Sequence, residues 1–273
     1  MDIEITTIYC ITDDWLQSQG HRERNDRTLS DAEVMTVALV AARYFDANFE
    51  RALDHMLDYG YIAKRLSRSQ FNRRLHPLQT RFENLFHWLA NLWKRIDEDL
   101  IFSLDSFPVS VCDNYRIRRC KIYRNEAFRG KISSKRRYFY GLKVHMIVNK
   151  AGLPVEVFFT PGSNSDTAEL KNFNFDLPPG STVYADKAYN EYLTEDVLLE
   201  AADITLLPIR KKNSKRPLEA WVEYVQKYYR KRVETSASLF ERLLPKSIHA
   251  VTARGFELKV FLFILACSFD GML

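Results

Sequence analysis

The apolar residues of this chain change period near residue 100, and that change constrains the fold more than any other feature. Up to about residue 97 they recur at helical spacing, as in Val34, Val37, Ala38 and Ala41, in Phe49, Leu53, Met56 and Leu57, and in Phe82, Leu85, Phe86, Leu89 and Trp93. Local start and stop signals agree. Ser30 with Glu33 and Ser67 with Gln70 have capping-box spacing, Gly60 ends one helix and Pro77 interrupts another. From Leu100 the pattern is that of strands: 100–105, "YFYGLKVHMIV", "PVEVFFT" and "STVYADKAY", with Gly152-Leu153-Pro154 and Pro161-Gly162 as turns. Three strands on short connections predict an antiparallel meander. Helices near 166–173 and 191–202, the strand "ITLLPI" and a helical region from about 218 then alternate. The expected fold class is α/β, a mixed sheet with flanking helices over residues 98–273, preceded by an all-α domain over 1–97.

The total of 273 residues with 46% apolar content is enough for one large or two ordinary domains. The longest apolar run, "VFLFILACSF" from Val260, is about half of a membrane span. It is expected as a buried helix or strand, and no membrane partner is expected. No N-terminal signal pattern is visible. Cys10, Cys112, Cys120 and Cys267 show no C-x-x-C spacing, which suggests neither a zinc site nor a disulfide framework, and a reducing cytoplasm is the expected compartment.

Within "DLIFSLDSFPVSVCD" a carboxylate, Asp105, interrupts an apolar strand just before Pro108, which is expected to end it. Asp186 ends "STVYAD" in the same way. Either aspartate alone reads more readily as a turn residue bonded to its own backbone. Two together at the ends of core strands repel unless a proton or cation compensates, and hard oxygen donors ask for magnesium or manganese. A third acid is available on the helix in "YYRKRVETSASLFERLL", where Glu234 borders a stripe of Val233, Ala237, Phe240 and Leu244. Glu241 lies on the same side, roughly 10 Å along the axis. The plain alternative for Glu234 is a helical ion pair with Arg230.

In this order Asp105, Asp186 and Glu234 resemble the catalytic acids of bacterial insertion-sequence transposases of the DDE type, whose catalytic domain is ribonuclease H-like. "SLDSFPV" is similar to their first acidic strand, "YGLKVHMIVNKAGLPVEVFFTPGSNSD" to the two strands and helix start that follow, "VYADKAYN" to the second acidic motif and "RKRVETSASLFERL" to the glutamate helix. Arg230 and Glu234 fit the signature around the helical acid. Lys227 stands where a tyrosine belongs and Glu241 where a lysine belongs, which keeps Glu241 as the alternative acid. The resemblance implies that Asp105, Asp186 and Glu234 bind two Mg2+ or Mn2+ ions, which serve an in-line displacement at a phosphodiester. It implies cleavage at transposon terminal inverted repeats, joining of the 3′-hydroxyl to target DNA, a homodimer or larger oligomer that synapses the ends, and a bacterial, nucleoid-associated location. A ribonuclease H-like nuclease without strand transfer, and a DNA-binding regulator with an inactive site, are the alternatives.

The charge distribution points the same way. Between Val111 and Lys150 twelve Lys and Arg stand against Asp113 and Glu126, a surplus of ten, so with +5 in total the remainder sums to −5. Arg116, Arg118, Arg119, Lys121, Arg136, Arg137 and Lys143 in this segment are expected DNA contacts, as are Lys187 after Asp186, Arg210, Lys211 and Lys212 in "IRKKNSKRP", and Arg230, Lys231 and Arg232 beside Glu234. Tyr115, Tyr123, Phe128, Tyr138 and Tyr140 are placed to stack on unpaired bases. Each residue singly also reads as part of a solvated, anchored loop. Arg68, Ser69, Gln70, Asn72, Arg73 and Arg74 suit either a DNA-reading helix or a capped surface helix. Asp166 is expected as an N-cap, His145 as structural and Trp221 as core.

Overall fold

The computed structural model describes the chain apart from residues 97, 133–135, 211, 230–243 and 246. The N-terminal part is helical: α1 Asp2–Ser18, α2 Asp31–Tyr44, α3 Phe49–Asp58, α4 Arg68–Leu75 and α5 Gln79–Ile96. Both expected capping boxes form, Ser30 with Glu33 ahead of α2 and Ser67 with Gln70 ahead of α4. Each satisfies backbone donors that a helix start leaves open. The sheet follows as β1 Ile101–Cys112, β2 Arg129–Ile132, β3 Arg137–Asn149 and β4 Pro154–Pro161. The short α6 Asp166–Glu169, β5 Thr182–Ala185, α7 Tyr192–Ala202, β6 Thr205–Pro208, a helix over 220–229 (α8) and α9 Ala253–Ser268 complete the described elements. Among the described residues no helix is long and apolar enough to cross a membrane.

Contacts divide the chain into two compact units, Met1–Leu89 with Arg242–Leu273, and Ala90–Glu241. In the first, α9 packs on α2. The run "VFLFILACSF" is therefore helical and lies with the N-terminal helices, whereas the sequence reading counts 98–273 as one domain. Asp31, at the start of α2, is buried and accepts from Arg27, Arg74 and His21. Burial pushes its carboxyl up, but Arg74, His21 and Arg27 outweigh burial and hold it below its usual value.

In the second unit the strands lie in the order β4-β3-β1-β5-β6, and β2 extends the edge of β3 next to β4. β3 is antiparallel to β1 and β4, while β5 and β6 run parallel to β1. This is the mixed, ribonuclease H-like sheet that the sequence predicts. Two details differ. Pro108 does not end β1, which continues to Cys112. β5 pairs with β1 only as far as Leu104, so Pro108, opposite Lys143, lies where the described strands flank β1 on one side alone. A missing N–H is tolerated at such a position. β3 has no wet face over its second half either: Leu142, Val144, Met146, His145 and Ile147 are all buried.

Candidate active site

The parallel register of β1 and β5 brings the two expected strand acids together. The last registered pair is Leu104 with Ala185, both buried, and the next residues are Asp105 and Asp186. Asp186 keeps an extended backbone (φ −70°, ψ 162°), so its side chain alternates to the face opposite Ala185. Asp105 does the same relative to Leu104. Neighbouring strands lie about 4.8 Å apart, so the register makes Asp105 and Asp186 neighbours on one face of the sheet, both half-buried. Asp105 Oδ1 accepts from the Ser106 backbone N–H at 2.7 Å. The chain then turns after Asp186, where the Tyr189 N–H donates to the Asp186 carbonyl at 3.0 Å.

Helix α8 lies on the same side of the sheet. Tyr184 precedes Asp186 by two residues and so shares its face, and it stacks on Tyr229 of α8 with ring centroids 5.2 Å apart. Gln226 of α8 donates to the Leu207 carbonyl of β6 at 2.6 Å. Glu234 and Glu241 themselves lie outside the described residues, as do Lys211, Arg230, Lys231 and Arg232. Among the described residues no group of three or more His, Cys, Asp or Glu is arranged to hold a metal ion. The two aspartates present are hard oxygen donors at adjacent positions, which is the donor chemistry of a divalent cation.

A polar layer lies on the other face, behind the acids. Ser106 Oγ donates to Asp166 Oδ1 at 2.8 Å, and Lys143 Nζ reaches the same oxygen at 3.1 Å and the Asn164 carbonyl at 2.8 Å. The cap before α6 is not the expected Asp166 but Ser165, whose side chain accepts from the Ala168 N–H. Asp166 is thereby freed from capping and turned to Lys143 and Ser106, which corrects the sequence expectation. His145 is buried and stacked on Phe158, 4.8 Å between centroids, with Nδ1 3.3 Å from the Tyr189 hydroxyl and Nε2 3.0 Å from Thr160 Oγ1. Burial pushes its imidazole down to about 4 against the pull of Asp166, so it is neutral at pH 7.

The family comparison bears on the same residues. A family model described as a transposase DDE domain matches residues 94–244, more than half of the chain. The chain belongs to that family of transposases. No curated protein and no solved structure matches the transposase. The family as a whole acts on DNA and generally depends on divalent metal.

The expected DNA contacts of the transposase divide into two sets. Arg116, Arg118, Arg119, Lys121, Arg136, Arg137, Lys187 and Lys212 are exposed. Lys143 is directed to Asp166, and Arg210 makes a bidentate pair with Glu195 at 2.7 Å for both bonds. Of the aromatic residues, Tyr115 and Tyr138 are exposed, but Tyr123 and Tyr140 are buried. Tyr123 stacks on Phe128 at 4.0 Å and Tyr140 donates to the Tyr123 and Asn125 carbonyls, so this loop uses them internally. Trp221 is 66% exposed rather than core, its indole N–H donating to Glu219. In the helical unit Arg74 is committed to Asp31 and Gln70 to its capping box, while Arg68 and Arg73 are exposed. Sequence reasoning gave no role to Ser106 or Tyr189. Their signal, a polar residue one position after Asp105 and another three positions after Asp186, has meaning only once the register is known.

Proposed function

We propose that the protein cuts transposon-end phosphodiester bonds and joins the freed 3′-hydroxyl to target DNA, with Asp105, Asp186 and Glu234 as the acids that hold Mg2+ or Mn2+. The observation that carries this reading is the β1/β5 register, which makes Asp105 and Asp186 side-by-side neighbours on one face. The stacking of Tyr229 on Tyr184 supports Glu234 as the third acid, because it puts the end of the described part of α8 on that face and Glu234 follows five positions later in sequence. Two ions held there would supply Lewis acidity at the attacking and leaving oxygens of an in-line displacement. The residues would do the positioning: two strands carry the aspartates, and the glutamate would complete the site from the segment that follows α8 in sequence. The exposed arginines and lysines at 116–121, 136–137, 187 and 212 would neutralise phosphates along the approach. The helical residues 1–97 would add further DNA contact, and synapsis of two ends would need a dimer or larger oligomer.

The test is an incubation of the full-length protein with labelled terminal inverted repeats, target DNA and Mg2+. Nicked ends together with joined product are expected. Nicking without joining would leave a ribonuclease H-like nuclease. Salt-sensitive binding with no cleavage would leave a DNA-binding regulator.

A further inference from the structure

The residues that follow the two aspartates are tied to each other through α6. Ser106, directly after Asp105, donates to Asp166, the first residue of α6. Thr167, the second residue, donates to the Ala188 carbonyl at 2.5 Å, in the turn that follows Asp186. Tyr189, at the end of that turn, is 1% exposed and its hydroxyl lies 3.3 Å from Nδ1 of His145, the β3 residue that pairs with Ser106 in the β1/β3 register. One four-residue helix thus clasps the strand of one acid and the turn of the other. A second link runs through β3, from Tyr189 to His145.

The hydrogen bonds have a direction. Asp166 Oδ1, facing Lys143, can only accept, so Ser106 gives it the hydroxyl hydrogen. The Tyr189 hydroxyl and His145 Nδ1 share one hydrogen bond, and His145 Nε2 and Thr160 Oγ1 share another. In this arrangement every contact carries one hydrogen. It requires a neutral imidazole, which the apolar stack on Phe158 favours. A satisfied buried chain of this kind admits one geometry, whereas a broken one leaves polar groups stranded.

We propose that Tyr189, with Ser106 and Asp166, is a positioning set that fixes the separation of the Asp105 and Asp186 carboxylates and so sets the affinity of the site for divalent cation. This rests on the reading of Asp105 and Asp186 as metal ligands. The set touches neither metal nor DNA. It acts from behind the sheet, as supporting hydrogen bonds do in metal sites, where their loss costs about 10–100-fold in affinity or activity.

The experiment is a Mn2+ titration of the full-length protein without DNA, read by electron paramagnetic resonance, with urea unfolding in parallel. Tyr189→Phe removes one oxygen and little volume, and is expected to weaken Mn2+ binding by about 10-fold or more. Ser106→Ala is expected to do the same and carries the test if Tyr189→Phe does not fold. Wild-type Mn2+ affinity in the folded variant, whether or not its urea midpoint has moved, would overturn the proposal and leave the hydroxyl with packing alone. Asp105→Asn separates the two levels of the reading. Wild-type binding that is indifferent to Asp105→Asn overturns the metal site and this inference together. Binding lost in Asp105→Asn but unchanged in Tyr189→Phe and Ser106→Ala overturns only the inference.

Discussion

Arg210 is expected from sequence on DNA, and the structure ties it to Glu195; replacing it distinguishes the two roles. The pair is nearly closed to solvent, with side chains 8% and 7% exposed, and both guanidinium nitrogens bond the carboxylate at 2.7 Å. Arg210→Met keeps length and removes charge. Glu195 would then be left in the interior with Arg216 as its nearest remaining cation among the described residues, at 3.9 Å and 44% exposed. Removing one partner of a buried ion pair costs about 3–5 kcal/mol, and Arg216 offsets part of that, so about 3 kcal/mol is expected. With a urea slope of roughly 2 kcal/mol/M, the midpoint of the unit containing β5 and β6 falls by about 1.5 M. Adding Glu195→Gln in the same chain should recover much of the loss, because a neutral amide is cheaper to leave in place than a charge. The salt dependence of DNA binding should not change. The reasoning is refuted if Arg210→Met is within about 1 kcal/mol of wild type while the slope of log K against log salt falls by about 0.9, the mark of one lost phosphate contact.

For a phosphate-contacting loop, Arg118→Ala with Arg119→Ala should lower that slope by about 1.8 and weaken binding equally across DNA sequences; an unchanged slope in a filter-binding salt series would remove this segment from the interface. His145 has its folded-state value depressed to about 4, so its contribution is present above about pH 6.5 and is lost as pH falls toward 4. Wild type should lose about 2 kcal/mol between pH 7 and pH 5 in urea melts, and His145→Gln should lack that part of the slope. Asp31→Asn should cost about 3 kcal/mol at pH 7, since it strands Arg27 and Arg74. Because the Asp31 value is lowered, that difference should shrink as pH falls below about 4 through the folded-state value, and a constant difference down to pH 3 would contradict the assignment.

Local chemistry made much of the fold legible. Ser30 with Glu33 and Ser67 with Gln70 act within one helical turn, so their spacing alone announces both helix starts. The long strands β1, β3 and β4 carry continuous apolar content and were equally readable. β2, "RGKI", carries no such pattern and exists because β3 offers it an edge. Pro108 misled because its tolerance depends on where β5 stops, which lies in the pairing and not in the strand. Tyr123 and Tyr140 read as surface aromatics inside a basic segment, yet the loop folds back and buries them. The acids Asp105 and Asp186 were visible as anomalies in apolar strands. The polar layer behind them was not, since Ser106, His145, Asp166 and Tyr189 are 21 to 83 positions apart and meet only through the sheet register and α6.

The claim at the centre of this account is that Asp105 contacts a divalent cation at the cleavage site, and Asp105→Cys tests it most directly. A thiolate is a softer donor than a carboxylate and serves Mg2+ poorly, while Mn2+ accepts it more readily. Cleavage of labelled transposon ends by folded Asp105→Cys should be abolished in Mg2+ and partly restored in Mn2+. Wild-type cleavage by this variant in Mg2+, or equal loss in both metals, would contradict the assignment.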